Sequence, residues 1–336
     1  MIVEARAPTR VDLAGGTLDI HPLYLLEDEV WTVNAAIEIP VRVRLARAGG
    51  GYTLVSRDLG QRIQAPSLEA LPLGGPMDLA CRALRLAGPR PGLRVTLDSA
   101  APPGSGLGAS SALLVALLAA LDRLQRRRRS ADDLVRTAWQ LEAQSLRTLT
   151  GRQDYLAAVW GGVNAIRFGM SGDEVEALGA RRDLERGLQE RLVLAYTGQP
   201  HASGLTNWGV VRAYLDGVPS TVHHLRGIAV VARRMRRALR AGDLDAVGPL
   251  LAEEWSHRRE LAPGVSTPAI ERAMATARRS GALSGKACGA GGGGCVLFFV
   301  RAGTKRLCQH ALRSAGFAVL PVRIARRGLR VRAPGG

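Results

Sequence analysis

The sequence predicts an α+β protein of two domains, on three observations. Its 336 residues, at about 150 per domain, are enough for two sizeable cores. The first half opens on strand-like alternation and then turns helical, whereas the second half is mostly helical, with a glycine-rich loop feeding a late strand. Between them, a strand, a glycine-rich loop and a long apolar helix follow one another at positions 93–124.

Alternating apolar positions mark strands at residues 2–7, 10–14 and 31–46, where Val41, Val43 and Leu45 share one face. A turn at Gly49 to Gly51 leads to a strand at 52–56, a loop-rich stretch at 58–76 and a helix at 77–86 stopped by Gly88 and Pro89. The strand at 93–97 enters the loop 102–108, which opens onto a helix at 109–124. Helical spacing resumes at 131–149, and 151–168 reads as loop, helix and strand. The polar stretch 171–190 reads as a connector, placing a boundary near residue 180. Beyond it come a strand at 192–196 and helices at 205–215, 222–241, 244–261 and 267–280. A second glycine-rich loop at 285–294, a strand at 295–300, a helix at 305–315 and a strand at 318–324 close the pattern, with a short polar tail.

Lysine and arginine number 46 against 29 acidic residues, a net charge of +17, and only Lys286 and Lys305 are lysines. The arginines are scattered, with dense runs at Arg126 to Arg129 and at Arg233, Arg234, Arg236, Arg237 and Arg240. Nucleic-acid modules interleave aromatics for stacking, but aromatics are only 4% of this chain, so these runs read as solvated faces and no nucleic-acid partner is expected. The longest apolar run, 112–121, is half a membrane span and reads as a buried helix, so no membrane association is expected. Cys81, Cys288, Cys295 and Cys308 form no CxxC pair, which fits free thiols in the cytoplasm, and the first residues lack a signal-peptide pattern. A monomer or homodimer is expected.

The most informative segment is PPGSGLGASSA, residues 102–112. Glycines let the backbone approach an anion, amides and the dipole at a helix start favour negative charge, and serine hydroxyls reach phosphate or metal. A phosphate cradle satisfies all these demands; a plain glycine-rich helix cap is the alternative. No GK[ST] follows, so it is not a Walker loop, and the proline pair with no downstream acidic partner argues against a dinucleotide site.

With Pro103, Gly106, Leu107, Gly108, Ser110 and Ser111, and Ala109 as a small residue between, this loop resembles the middle motif of the GHMP small-molecule kinases. Two further segments resemble that family's motifs in order. TRVDLAGGTLDIHPLY carries Arg10, Gly15 and Asp19 and resembles the sugar-recognition segment of galactokinase-like members. GKACGAGGGGCVLFF, 285–299, resembles the third motif, whose glycines close over the triphosphate. The resemblance implies a ribosomal-protein-like N-terminal domain at 1–180 and a ferredoxin-like C-terminal domain at 181–336, with ATP in the cleft and Mg2+ as cofactor.

It also implies roles. ATP lies against Pro103, Gly104, Ser105, Gly106, Leu107, Gly108, Ala109, Ser110, Ser111, Gly291 and Gly292. Asp154, in a segment like the GxQD element of sugar-1-kinases, is the candidate base for the acceptor hydroxyl, with a helix-capping aspartate as the alternative. Arg10 lies across the γ-phosphate and keeps Asp154 ionised. Ser111 and Glu142 offer Mg2+ the oxygens it favours, and the two serines are interchangeable at this stage. Asp19, with Gly16 and His21, is the expected acceptor patch, because a carboxylate takes two neighbouring hydroxyls of a neutral polyol. His201 and Ser203 are weaker candidates, and the basic residue that heptose-phosphate kinases carry nearby is not clearly matched. Adenine is expected against residues 56–79, and the five tryptophans are expected in packing. The expected activity is transfer of the γ-phosphate of MgATP to a hydroxyl, the anomeric one, of a sugar or related polyol. Heptose 7-phosphate, mevalonate-type or amino-alcohol acceptors, a non-catalytic ligand-binding member and a basic nucleic-acid-binding protein are the alternatives.

Overall fold

The computed structural model describes residues 2–179, 182–200 and 203–333. The chain starts with β1 (Ile2–Ala14), the short α1 (Leu23–Leu26) and β2 (Trp31–Arg47). The hairpin of β3 (Tyr52–Ser56) and β4 (Gln61–Ala65) precedes α2 (Asp78–Ala87) and β5 (Leu93–Ser99). Three helices, α3 (Ala109–Leu124), α4 (Ala131–Leu146) and α5 (Gln153–Trp160), then lead to β6 (Val163–Arg167) and β7 (Glu174–Ala177). The second half runs α6 (Arg182–Arg191), β8 (Leu192–Tyr196), α7 (Ser203–Leu215), α8 (Pro219–Ala241), α9 (Val247–Arg258) and α10 (Pro268–Arg279). It ends on β9 (Ala282–Ala287), β10 (Cys295–Val300), α11 (Lys305–Ser314), β11 (Ala318–Leu320) and β12 (Arg330–Arg332).

The strands form two sheets. The first orders β12-β1-β2-β5-β3-β4, with β6 on β2 and β7 on β6; the second orders β11-β8-β10-β9 and is antiparallel throughout. Helix α3 is apolar all round and accordingly buried, with Leu114, Val115, Leu117, Leu118 and Leu121 in one core with Val41, Val43, Leu84 and Leu141. A second core joins the halves: Leu13 and Val33 of the first sheet pack with Leu194, Leu297 and Phe299 of the second and with Val231 and Met235 of α8. The cleft therefore opens between elements that share apolar contacts, not between freely hinged bodies.

The predicted pattern meets the structure most closely at α3, and departs from it in five places. The strands at 2–7 and 10–14 are one strand, β1, because the Pro8–Thr9 irregularity is absorbed as a register shift against β2. The loop-rich stretch hides β4, whose QRIQA has too few apolar side chains to signal a strand and pairs through its backbone with β3. The supposed connector contains β7 and the amphipathic α6, whose Leu184 and Leu188 are buried. The start of the second glycine-rich segment, Gly285 to Ala287, belongs to β9. The polar tail supplies β12, which returns to β1 of the first sheet. The expected boundary near residue 180 falls at residues outside those described. All four cysteines are free and buried, and none of the described helices is long and apolar enough to cross a membrane.

Candidate functional site

A cavity of about 390 Å3 lies where the first sheet, α3, α4, α5 and the second half converge. Strand β1 delivers Arg10 and Asp12 to it, and the turn after β1 delivers Gly16, Thr17 and Asp19. From β5 the chain enters the glycine-rich loop with Gly104, Gly106 and Gly108 all at positive φ, so side chains larger than hydrogen would strain it at three points. Gly108 then caps α3, and Ala109, Ser110 and Ser111 of its first turn line the cavity.

The base and cation expected from sequence meet here. Arg10 donates from Nε to Asp154 Oδ1 at 2.7 Å and from Nη1 to the Gly106 carbonyl at 2.7 Å, tying the α5 N-terminus to the glycine loop. Burial opposes the Arg10 charge, but Asp154 and Asp12 outweigh it and raise its pKa. A Cβ on Gly108 would sit 2.9 Å from the Asp154 carboxylate, so this carboxylate lies flat against the start of α3. Its side chain stays 22% exposed and faces the cavity.

Glu142, buried on α4, accepts hydrogen bonds from Ser110 Oγ, from Ser111 Oγ at 2.6 Å and from Tyr155 OH. Burial pushes its pKa above the ordinary carboxylate range against the pull of these donors. The donor set at the α3 start is hydroxyl and carboxylate oxygen throughout, the chemistry Mg2+ favours, so Ser111, Ser110 and Glu142 fit the cation expected there. Tyr155, the third donor to Glu142, was not singled out in the sequence; its position in GRQDY, next to Asp154, is the only signal.

Asp19 is buried beside the same loop. Its Oδ2 accepts the Gln153 backbone N–H at 3.0 Å, and a Cβ on Gly151 would stand 2.0 Å from it, so GRQD needs its glycine to seat this carboxylate. Burial raises Asp19 to about 6, with Asp154 and Asp12 adding to the shift and the Gln153 N–H opposing it. Arg152 of the same segment pairs with Asp173 at 2.7 Å and lies 4.5 Å from the Tyr24 ring centroid, holding the turn from outside the cavity.

Sequence reasoning missed a buried charge cluster under this site. Lys286 of β9 binds Asp12 at 2.7 Å and Glu254 of α9 at 3.0 Å, while Arg258 binds Glu254 at 2.5 Å and donates to the Gly16 carbonyl at 2.8 Å and to Thr17 Oγ1 at 3.1 Å. Two cations and two carboxylates, all buried, thus fasten the turn after β1 to the second half. Asp12 is held below the ordinary carboxylate range despite its burial, by Lys286 and Arg258. Asp12 and Lys286 lie inside quoted motifs and Glu254 and Arg258 are an i,i+4 pair, but nothing local joins the two sets, because Asp12 and Lys286 are 274 positions apart.

Several expected contacts are corrected. His21 is exposed at the entry to α1, bonded to the Tyr24 hydroxyl, and does not line the cavity. Gly291 and Gly292 pack on the Gly264–Val265 turn, with the Gly292 N–H on the Val265 carbonyl at 2.8 Å; Gly289 and Ala290 reach the cavity instead. The third motif buttresses the first loop from behind, through the Cys295 N–H on the Ser105 carbonyl at 2.9 Å and close approach of Gly106 to Cys288. Leu107 stays on the cavity wall as expected, although its side chain is buried in the core, and its carbonyl accepts the Arg10 N–H at 3.0 Å. Pro103, Gly104, Ser105 and Ala109 do line the cavity, as do Ser56, Asp58, Leu59, Pro76, Met77 and Leu79 from the stretch assigned to adenine. Of the tryptophans, Trp31 and Trp255 are buried, but Trp160 and Trp208 are half exposed. His201 lies outside the described residues, as does the side chain of Ser203.

The comparisons with known proteins agree with this geometry. The GHMP kinases N terminal domain matches residues 76–162, and the GHMP kinases C terminal domain matches residues 235–318. The chain is 28% identical over 327 residues to the D-glycero-alpha-D-manno-heptose 7-phosphate kinase of Campylobacter jejuni, covering 93% of each. It is 29% identical over 334 residues to the L-fucokinase/L-fucose-1-P guanylyltransferase of Bacteroides fragilis, covering 87% of this chain but only 34% of that longer protein. In fold it resembles a D-glycero-D-manno-heptose 1-phosphate kinase from Bacteroides thetaiotaomicron, with TM-score 0.80, 24% identity and 99% and 100% of the two chains covered. It likewise resembles the galactokinase of Lactococcus lactis complexed with galactose, with TM-score 0.77, 18% identity and coverage of 98% and 95%. With both family domains present in order and the loop, carboxylates and arginine gathered on one cavity, this chain belongs to the GHMP kinases.

Proposed function

We propose that the protein is a sugar kinase, transferring the γ-phosphate of MgATP to a hydroxyl of a neutral sugar or related polyol, the anomeric hydroxyl. The observation that carries this reading is the placement of Asp154: bound by Arg10, flat against the start of α3, and one residue from the Gln153 amide that holds Asp19. A base, a phosphate loop and a hydroxyl-binding carboxylate thus face the same space. The triphosphate lies along the loop amides, and the acceptor hydroxyl sits between Asp19 and Asp154. The Asp154 carboxylate takes the hydroxyl proton as the new O–P bond forms and the bond to the departing ADP breaks. Arg10 neutralises the charge spread over the transferring group. Ser111 and Glu142 would hold the Mg2+, which would supply positive charge against the phosphates.

The cavity wall supports a neutral acceptor. Among the described residues that line it are the carboxylates Asp12, Asp19, Asp58, Glu142 and Asp154 and the guanidiniums Arg10 and Arg258, both already bound to carboxylates. A second phosphate on the acceptor would meet this negative wall with no unpaired cation among those residues. The similarity to a heptose 7-phosphate kinase favours the competing, phosphorylated acceptor. ADP release with MgATP across free sugars, sugar phosphates, polyols, mevalonate and homoserine, with the product read by phosphorus NMR, separates the two. Turnover on a neutral sugar giving an anomeric phosphate is expected; turnover confined to a sugar that already carries phosphate overturns the neutral acceptor. We further infer a cytoplasmic monomer or homodimer, which the four free buried thiols and light scattering of the purified protein bear on.

A further inference from the structure

Away from the cavity, three histidines meet between α8 and α9. His223 and His224 project from the first turns of α8 and His257 from the last turn of α9, and one ring nitrogen from each lies within 4.8 Å of the others. The Nδ1 atoms of His224 and His257 are 3.2 Å apart. Two imidazoles on one tetrahedral zinc, with bonds of about 2.0–2.1 Å, place their nitrogens at roughly this separation. Room for the cluster is built into α8: a Cβ on Gly227 would stand 2.4 Å from the His257 ring. A glycine inside a helix is less favourable than alanine, and here it lets the third imidazole reach the other two.

The nearby carboxylates are otherwise engaged. Glu253 is bound at both oxygens by Arg234, and Glu254 belongs to the charge cluster with Lys286 and Arg258. The three rings therefore face one another without an anion between them, which leaves nitrogen lone pairs for a cation.

We propose that His223, His224 and His257 form a binding site for a late first-row divalent cation, zinc above all, that clamps α8 to α9. The all-imidazole set excludes Mg2+, which requires oxygen, so this site is chemically distinct from the one at Ser111 and Glu142. Its last ligand, His257, precedes Arg258, whose guanidinium holds the Gly16 carbonyl, so the cation sits one residue from the frame of the acceptor turn.

Metal-free full-length protein, without an affinity tag, titrated with CoCl2 tests this directly. One equivalent of Co2+ with the visible ligand-field bands of a four- or five-coordinate nitrogen site, displaced by ZnCl2, is expected. His224→Ala and His257→Ala, verified as folded by circular dichroism, are expected to lower the affinity by at least about tenfold. His223→Gln is a third variant, at an exposed position that leaves the helix contact intact. Saturating Zn2+ is expected to raise the melting temperature of the wild type and not of the variants. Absence of a stoichiometric Co2+ spectrum, or equal affinity in wild type and His223→Gln, overturns the proposal.

Discussion

At the scale of single residues, the site divides its work among carboxylates whose surroundings differ. Asp154 faces the cavity with Arg10 on one edge, a setting that leaves its carboxylate accessible from the cavity. Asp154→Asn is expected to lower kcat about 10²–10⁴-fold while leaving ATP affinity, measured by calorimetry, near the wild-type value. Asp19 is different: buried, it reaches a pKa of about 6. Only the ionised form accepts two hydroxyls, so kcat/KM for the acceptor is expected to fall as pH drops through about 6. In Asp19→Asn that limb of the profile disappears along with most acceptor affinity. The same shift has the opposite sign for stability. The folded state binds the Asp19 proton more tightly than the unfolded chain, with its ordinary value of 3.8, so its burial costs stability above pH 6 and that cost is relieved between 6 and 4. An acceptor profile without a limb near 6 would remove Asp19 from the binding patch.

At the scale of elements, the glycine-rich loop depends on what lies behind it. Loop 102–108 is held on one side by the Arg10 backbone and side chain and on the other by Cys288, Gly294 and Cys295. Below it, Asp12, Glu254, Lys286 and Arg258 join β1, α9 and β9 in a cluster that is neutral only when complete. Lys286→Met leaves two buried carboxylates sharing one guanidinium, and is expected to cost about 3–5 kcal/mol in urea unfolding. The loss should exceed that of any surface arginine substitution, such as Arg186→Ala, whose partner Glu190 is exposed and 3.9 Å away. A Lys286→Met protein of unchanged urea midpoint would show that the cluster holds nothing together.

At the scale of the molecule, the chain returns from the second half to the first sheet at its end, and the shared core joins the halves as well. Strand β12 comes from the last residues described and pairs with β1, the first strand, through Glu4 with Arg332, Ala5 with Val331 and Arg6 with Arg330. Leu329 and Val331 pack against the core around α3. A chain ending at Gly328 is expected to lose about 1–3 kcal/mol, read from the urea midpoint, although none of the described residues it removes lines the cavity. The division near residue 180 remains a proposal about folding units. The shared core of Leu13, Val33, Leu297 and Phe299 argues that the halves unfold together.

What the sequence determined by itself is what short-range physics controls. Periodicity placed α3 at its observed limits, because sixteen consecutive helical residues carry a strong apolar signal. The glycine-serine run marked the glycine loop that caps α3 and lines the cavity, because its backbone demands lie within eleven residues. The ordered motifs brought Arg10, Asp19, Ser111, Glu142 and Asp154 into one hypothesis, and all five line the cavity. Tertiary structure decided the rest. Strand β4 and strand β7 are stabilised by backbone pairing that their side chains do not advertise. His21 turns to Tyr24, and Gly291 and Gly292 serve the turn at Val265, because which glycine or histidine faces a cavity depends on the path of the chain around it. The Asp12, Glu254, Lys286 and Arg258 cluster and the three-histidine junction lie furthest from sequence view. Glu254 with Arg258 and His223 with His224 are neighbours in sequence, but only the packed fold brings Asp12, Lys286 and His257 to them.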